Sequence, residues 1–278
     1  MIDILMSTYN GEEFLRPQLD SILTQDHREI RLLVRDDGST DSTQSILDEY
    51  AAKDDRMSLI EDGAGNLGAF VSFMELVSRS TSPYFMFSDQ DDVWLPDKVS
   101  RTMTKMNAVG VESRQDEPIA IFTDMTVVDD NLNVVHPSLW RYQGYEPAIS
   151  RNWKKLLAQN VVLGCTLMAN ARVRELCIPF MLPELPHDHW VALHAAKYGT
   201  IDFIDVPTML YRQHTQNYSG AHRFGIGYSI ERLPGLIPRI GEFMRSSRFF
   251  GGVSPVRLLF YKVWLNLRRF RSRDHHSK

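Results

Sequence analysis

The stretch Pro83-Tyr84-Phe85-Met86-Phe87-Ser88-Asp89-Gln90-Asp91-Asp92 decides how this chain reads, because an apolar strand runs straight into three acidic side chains within four positions. Carboxylates crowded this closely repel one another. Such a cluster is stable when it is solvated or when a divalent cation shares its charge. In open α/β sheets the carboxyl ends of the strands are also where ligands bind. The competing reading is a plain surface turn, with Asp92 or Asp97 capping the helix that follows Pro96.

Two earlier segments repeat the order strand, polar turn, helix. Ile30 to Val34 is a short β-branched-rich run that ends in Arg35-Asp36-Asp37-Gly38-Ser39-Thr40-Asp41, before a helical pattern with Ile46, Leu47 and Tyr50 on one face. Ile2 to Met6 leads likewise into Ser7-Thr8-Tyr9-Asn10-Gly11 and then a helix marked by Leu15, Leu19, Ile22 and Leu23. Strands near residues 2 to 7, 30 to 35, 57 to 61 and 83 to 88 thus alternate with helices near 12 to 25, 41 to 53, 68 to 80 and 96 to 107. The class is α/β, with a Rossmann-like and mainly parallel sheet. Further strands are expected at Ile119 to Phe122, Met125 to Val128, Val161 to Ala169 and Ile201 to Leu210. Helices are expected near 151 to 159 and 188 to 198, after a Pro- and Tyr-rich insertion near 136 to 148.

Ser7-Thr8-Tyr9-Asn10-Gly11, Asp36-Asp37-Gly38-Ser39-Thr40-Asp41, Asn66-Leu67-Gly68 and Ser88-Asp89-Gln90-Asp91-Asp92-Val93-Trp94 resemble, in order and spacing, the donor half of family 2 nucleotide-sugar glycosyltransferases with the GT-A fold. The Asp-Gln-Asp-Asp-x-Trp form is most similar to the bacterial rhamnosyltransferase-like branch. His187-Asp188-His189-Trp190 and Tyr211-Arg212-Gln213-His214 match that branch's acceptor half. The resemblance covers roughly residues 2 to 220. It implies a GT-A domain over 1–222, with a donor half at about 1–110 and an acceptor half at about 111–222, followed by a basic helical region over 223–278.

The resemblance also implies roles. Departure of a nucleoside diphosphate develops negative charge on the leaving phosphate, which a cation or preorganised donors must offset. Asp91 is then the better ligand for a divalent metal, Mn2+ or Mg2+, while Asp89 approaches the ribose or a metal-bound water, and Gln90 orients. His214 completes the coordination or contacts the diphosphate, with Arg212 a further phosphate candidate. Uracil or thymine presents an imide N–H that wants an acceptor and a flat face that wants a wall. Asp37 supplies the acceptor, and Tyr9 with Thr8 covers the ring. Asn66 lies near the donor, although Asn and Gly there also suit a simple turn. For Asp36 and Asp37 the structural alternative is an Asp-Gly turn with Ser39 capping the next helix.

An acceptor hydroxyl needs a base, and Asp188 takes that place in the family's pattern. A helix N-terminus is expected to depress its pKa and keep it ionised at neutral pH. His187 and His189 flank it to position substrate or to satisfy local hydrogen bonds. Gly164, Cys165 and Thr166, together with Trp190, are expected in the sugar and acceptor pocket. The activity implied is inverting transfer of a hexose, rhamnose foremost, from a UDP- or dTDP-sugar donor to a bacterial polysaccharide or lipid-linked saccharide. Because Asp89-Gln90-Asp91-Asp92-Val93 also satisfies Asp-x-Asp-x-Val, a haloacid-dehalogenase-like phosphotransferase with Asp89 as nucleophile is an alternative. A non-catalytic carbohydrate-binding protein is another.

Composition adds a charge asymmetry. From Arg223 to Lys278 there are twelve Lys or Arg against three Asp or Glu, a formal +9, which leaves about −13 on the preceding 222 residues of a chain whose total is −4. Within this basic tail Pro255 to Phe270 reads as a helix. Leu259, Val263, Leu267 and Phe270 form one stripe, and Arg257, Lys262, Arg268, Arg269 and Arg271 lie elsewhere around it. Such a helix suits the interface of an anionic membrane, with packing on the domain or on a second copy in a homodimer as the alternatives. No run approaches the length that spans a bilayer. Met1 leads straight into the first strand, so no signal peptide is expected, and the protein is expected in the cytoplasm, peripheral on the inner face of the membrane. Cys165 and Cys177, without a paired metal-ligand motif, are expected as reduced core residues. Nucleic acid is not an expected partner, since the body is acidic.

Overall fold

The apolar run before the acidic turn is the strand Tyr84–Ser88, whose residues Phe85 to Ser88 are all buried. It lies at the middle of a mixed sheet. In this computed structural model, which describes residues 1–183, 185–214 and 236–273, the first half of the chain alternates strand and helix. The elements are β1 (Ile2–Thr8), α1 (Leu15–Leu23), β2 (Ile30–Asp36), α2 (Thr43–Ala51), β3 (Met57–Leu59), α3 (Ala69–Arg79), β4 (Tyr84–Ser88), β5 (Val93–Trp94) and α4 (Lys98–Glu112). The second half adds β6 (Ile119–Val128), β7 (Val134–His136), α5 (Leu139–Gln143), α6 (Trp153–Ala158), β8 (Met168–Asn170), α7 (Ala171–Cys177), α8 (His187–Tyr198), β9 (Thr200–Arg212), α9 (Leu236–Phe249) and α10 (Pro255–Arg273).

Among the described residues the sheet runs β3-β2-β1-β4-β8-β6-β9-β5, with β7 on the outer part of β6. The strands β3, β2, β1 and β4 are parallel, as βα alternation requires. Antiparallel β8 then joins β4 to β6. Two apolar clusters cover the two faces: Phe73, Phe85, Phe87 and Trp190 belong to one, and Ile4, Met6, Leu19 and Met86 to the other. Alternate residues of β1 and β4 therefore enter different cores, as a period of two demands.

Several expected elements differ. Residues 119–128 form one strand rather than two, because the polar residue inside it is satisfied: buried Asp124 accepts hydrogen bonds from Ser138 Oγ, Trp140 N and Met125 N. Val161 to Ala169 is not a continuous strand. A 3-10 turn at Gly164–Thr166 interrupts it, held by Thr166 Oγ1 donating to Leu163 O at 2.7 Å, and only Met168–Asn170 pairs. Burial without pairing explains the apolar run, which periodicity cannot separate from a strand. Asp97 precedes α4 but bonds to Arg101 rather than capping, and Asp92 is buried, with Oδ1 accepting from Arg212 N. Ser39 does not cap α2 either; its hydroxyl donates to Asp36 and accepts from Asn10 N.

The expected boundary at 222/223 lies outside the described residues, as do the side chains of Phe270 and Arg271. Helix α10 itself packs on the body through buried Leu258 and Leu265. Arg269 donates to Gln143 O at 2.6 Å, and Arg268 pairs with Glu146 at 2.8 Å. No described helix is long and apolar enough to cross a membrane.

At the opposite edge from the polar turns, Asp3 anchors β1. Its buried carboxylate accepts from Arg31 twice, from Ser80 Oγ, from Thr81 N and from both the backbone and hydroxyl of Ser82. Burial alone would raise its pKa, but the bonds from Arg31, Ser82 and Ser80 outweigh that and bring it down to about 2. A depressed folded pKa gives stability that is present above the unfolded value and lost as pH falls through the folded one. Asp3→Asn should therefore cost about 3 kcal/mol at pH 7 in urea unfolding, with the difference from wild type shrinking between pH 4 and 2.

Candidate active site

Parallel register brings three turns to one edge of the sheet. Thr8 sits opposite Asp36, and Met6 opposite Ser88, so the segments after β1, β2 and β4 emerge side by side. Gln90 ties the first to the last: its Nε2 donates to Tyr9 O at 3.0 Å and its Oε1 accepts from Tyr9 N at 2.8 Å. Gly11 permits this, since a Cβ there would stand 2.4 Å from Gln90 Oε1. Asp36 closes the middle turn by accepting from Thr8 Oγ1, Ser39 N and Ser39 Oγ. Thr8 is buried, and the Tyr9 side chain is half exposed over this edge.

Asp37 is buried and occupied. Its carboxylate pairs with Arg35 and accepts from Leu67 N at 2.7 Å and Gly68 N at 2.8 Å. Two separate sequence motifs thus meet, with exposed Asn66 at the rim beside them. The organiser is Arg35, fully buried, which also bonds Asp62 at 2.7 Å and Gly65 O at 2.7 Å. Sequence reading passed over it, because one arginine in a strand end carries no motif and its partner Asp62 lies 27 positions on.

Beyond β4, Asp91 Oδ2 lies 2.8 Å from His214 Nε2. The His214 ring packs on Phe14, centroids 4.7 Å apart. Arg212 is a strut: its backbone N donates to Asp92 Oδ1 at 3.2 Å, its Nε to Asp91 O at 2.8 Å and its Nη1 to Asp130 O, while its guanidinium lies over Phe14. These bonds hold the acidic turn against β9. They differ from the phosphate contact expected for Arg212. The acids themselves are under strong mutual repulsion. Burial, then the charge of Asp91, with Asp188 adding to it, push Asp89 up to about 7. Burial, then Asp91 and Asp89, push Asp92 far above the usual carboxylate range.

Asp188 stands in the first turn of α8, near enough for its charge to act on Asp89. It accepts from Asn160 Nδ2 and Gly164 N, both at 3.1 Å, and from His189 N. Burial nevertheless raises its pKa to about 6, outweighing those three bonds. This reverses the expected depression, because desolvation exceeds the effect of the helix terminus. The side chain remains ionised at neutral pH, but with a basicity suited to taking a proton.

The neighbours divide. His187 is buried with neither ring nitrogen bonded, stacked on Phe73 at 4.2 Å, and burial lowers it to about 3. Gly164 leaves it room, since a Cβ there would lie 2.7 Å from His187 Nε2. His189 turns to Leu156 O at 2.9 Å, the local hydrogen bond anticipated for it. Trp190 is a core residue rather than a pocket wall: it is fully buried, with Nε1 donating to Cys177 O at 2.9 Å. Its role is to seat α8. Cys165 and Thr166 are also buried, with Cys165 behind the acidic turn.

Residues 3–165 match the model of Glycosyl transferase family 2. The chain belongs to glycosyl transferase family 2. It is therefore a glycosyltransferase, and the phosphotransferase reading of Asp89 falls away. It is 27% identical over 229 residues to the dTDP-rhamnosyl transferase RfbG of Shigella flexneri, covering 78% of this chain and 74% of that one. In fold it is similar to Staphylococcus aureus TarS residues 1–349 solved with UDP-GlcNAc, with a TM-score of 0.63 at 16% identity over 97% of this chain and 72% of the other. The mannosyltransferase PcManGT of Pyrobaculum calidifontis, solved with GDP-Man and Mn2+, gives a TM-score of 0.64 at 16% identity over 98% and 72%. The architecture is thus that of a GT-A transferase.

Arg35 provides a direct check on how the middle of this edge is held. Replacing it by Met leaves Asp37 and Asp62 as uncompensated charges, expected to cost about 3–5 kcal/mol in chemical unfolding. Hydrogen exchange at Leu67 and Gly68 should accelerate with it; an unchanged midpoint and unchanged protection would show that the loop is held by something else.

Proposed function

We propose that this chain is an inverting, metal-dependent glycosyltransferase that moves a rhamnosyl or related hexosyl unit from a dTDP- or UDP-sugar to a saccharide or lipid-linked acceptor. The observation that carries the proposal is the convergence of Asp89, the Asp91–His214 pair and Asp188 at one edge of the sheet, near enough that Asp188 contributes to the elevated pKa of Asp89. Likeness to a dTDP-rhamnosyl transferase supports the donor.

The donor set fits a hard divalent cation. Asp91 Oδ2 and His214 Nε2 already sit within one hydrogen bond of each other, and the carboxylates around them are too crowded to ionise together without a positive charge. Asp91 and His214 would hold the ion, with Asp89 beside them. When bound, it offsets the charge that grows on the departing diphosphate. The remaining steps belong to the chain. Tyr9 covers the base, Asp37 holds the loop carrying Asn66 beside it, and the Gln90 clamp fixes the distance between the turns. Asp188 takes the proton of the acceptor hydroxyl as that oxygen bonds to the anomeric carbon and the diphosphate leaves with the electron pair of its C–O bond. One displacement inverts the centre, and no covalent enzyme intermediate forms.

Asp188→Asn should lower transfer by about 10²–10⁴-fold while Mn2+-dependent nucleotide binding persists. Asp91→Asn should lose both. Because the base works ionised, wild-type single-turnover rate should fall as pH drops through about 6, close to tenfold per unit. Near-normal turnover by Asp188→Asn, or a flat rate from pH 7 to 5, would contradict the assignment.

The exposed side of α10 supports docking on an anionic membrane, where a lipid-linked acceptor would be met. Val256, Leu259, Phe260, Val263 and Leu267 are each at least half exposed and fall on the turns facing away from the body. A basic tail flanks them. The chain should sediment with vesicles containing anionic lipid, and Phe260→Glu with Val263→Glu should abolish this without shifting the melting temperature. Equal sedimentation of the double variant would remove membrane docking from the account.

A further inference from the structure

Behind the acidic turn lies a second cluster, which shares Asp89 with the transfer site but whose Asp92 and Cys165 the transfer reaction does not use. One ligand atom each from Asp89, Asp92 and Cys165 lie within 4.8 Å of one another. Asp92 and Cys165 are buried, and Asp89 is partly exposed. Asp92 Oδ1 accepts from Arg212 N, but its Oδ2 is shielded from solvent and has no hydrogen-bond partner. Leaving such an atom unpaired is costly, which points to a group that the protein alone does not supply. Lys98, the buried cation nearby, directs its Nζ to Thr208 Oγ1 at 3.3 Å and lies over the Trp94 ring. Burial, then the charges of Asp89 and Asp92, hold Cys165 as the thiol. A dication would reverse both charge effects and stabilise the thiolate.

We propose that Asp89, Asp92 and Cys165 form a site for one thiophilic divalent cation, Zn2+ or Cd2+, separate from the Asp91–His214 pair. A thiolate with two carboxylates suits these ions, whereas Mg2+ and Mn2+ do not favour a sulfur ligand. At metal–oxygen and metal–sulfur lengths of about 2.0–2.3 Å, ligand atoms of a tetrahedral site stand about 3.5 Å apart. The cluster would need to tighten by about 1 Å. On binding, the Cys165 S–H bond and the O–H bond of Asp92, and of Asp89 where it is protonated, break, metal–sulfur and metal–oxygen bonds form, and the released protons pass to solvent. Since Asp89 also belongs to the proposed transfer site, an ion seated here would compete for its carboxylate. The site's existence does not depend on which sugar or acceptor the enzyme uses.

Titrating the full-length protein with Cd2+ while following thiolate-to-metal charge-transfer absorption tests this. The band should saturate at one equivalent in wild type and in Cys177→Ser, and persist in excess Mn2+. It should be absent in Cys165→Ser and require at least tenfold more Cd2+ in Asp92→Asn, each variant melting cooperatively. If Cys165→Ser does not fold, Asp92→Asn alone decides. No band in wild type, a band in folded Cys165→Ser, or wild-type saturation in Asp92→Asn would overturn the proposal.

Discussion

Repulsion among Asp89, Asp91 and Asp92 is the constraint around which this end of the molecule is built. Three carboxyl groups enter a partly buried turn, where Asp91 makes both Asp89 and Asp92 harder to ionise and Asp89 adds to the effect on Asp92. The fold answers with oriented groups rather than with one salt bridge. His214 takes Asp91, the backbone of Arg212 takes one oxygen of Asp92, and Gln18 holds Ser88 Oγ at 2.7 Å and Asp89 O at 3.0 Å from beneath. Lys98, lowered to about 8 by burial despite Cys165 and Asp92 nearby, is the buried lysine beside this turn.

A second, independent network holds the neighbouring turn. Arg35 gathers Asp37, Asp62 and the carbonyl of Gly65, and Asp37 in turn pins the backbone of Leu67 and Gly68. Here one guanidinium serves two carboxylates, and backbone N–H groups complete the bonding of Asp37. The middle turn is thus organised by one buried arginine, and the outer turn by His214 and main-chain donors. Arg212 belongs with the scaffolding, since its bonds run to main-chain oxygens on both sides of β9.

Local order in the first half was legible because each βα unit carries its own signals. Apolar runs of strand length, polar turns and periodic helices recur there, and all four parallel strands fall where alternation put them. Asp188 at the head of α8 and His214 beside Asp91 were reached through motif resemblance, which fixes position but not environment. The pKa of Asp188 shows the limit: a helix start is visible in sequence, yet the desolvation that raises the group comes from elements brought together only by folding. Trp190 was misplaced for a related reason, since nothing local tells a cleft-facing indole from one whose N–H meets the carbonyl of Cys177. Arg35 was invisible because its meaning lies in Asp62 and Asp37 together. The exposed stripe on α10 was visible as a stripe, but only packing shows that Leu258 and Leu265, on a different side, are the residues that face the body.

Anomalous scattering from crystals soaked with MnCl2 and a pyrimidine nucleoside diphosphate would test the central claim most directly. A manganese peak in contact with both Asp91 Oδ2 and His214 Nε2, bridged to the diphosphate, is the result this account predicts. A bound nucleotide whose diphosphate lies away from Asp91, or a manganese peak that leaves both residues untouched, would contradict it.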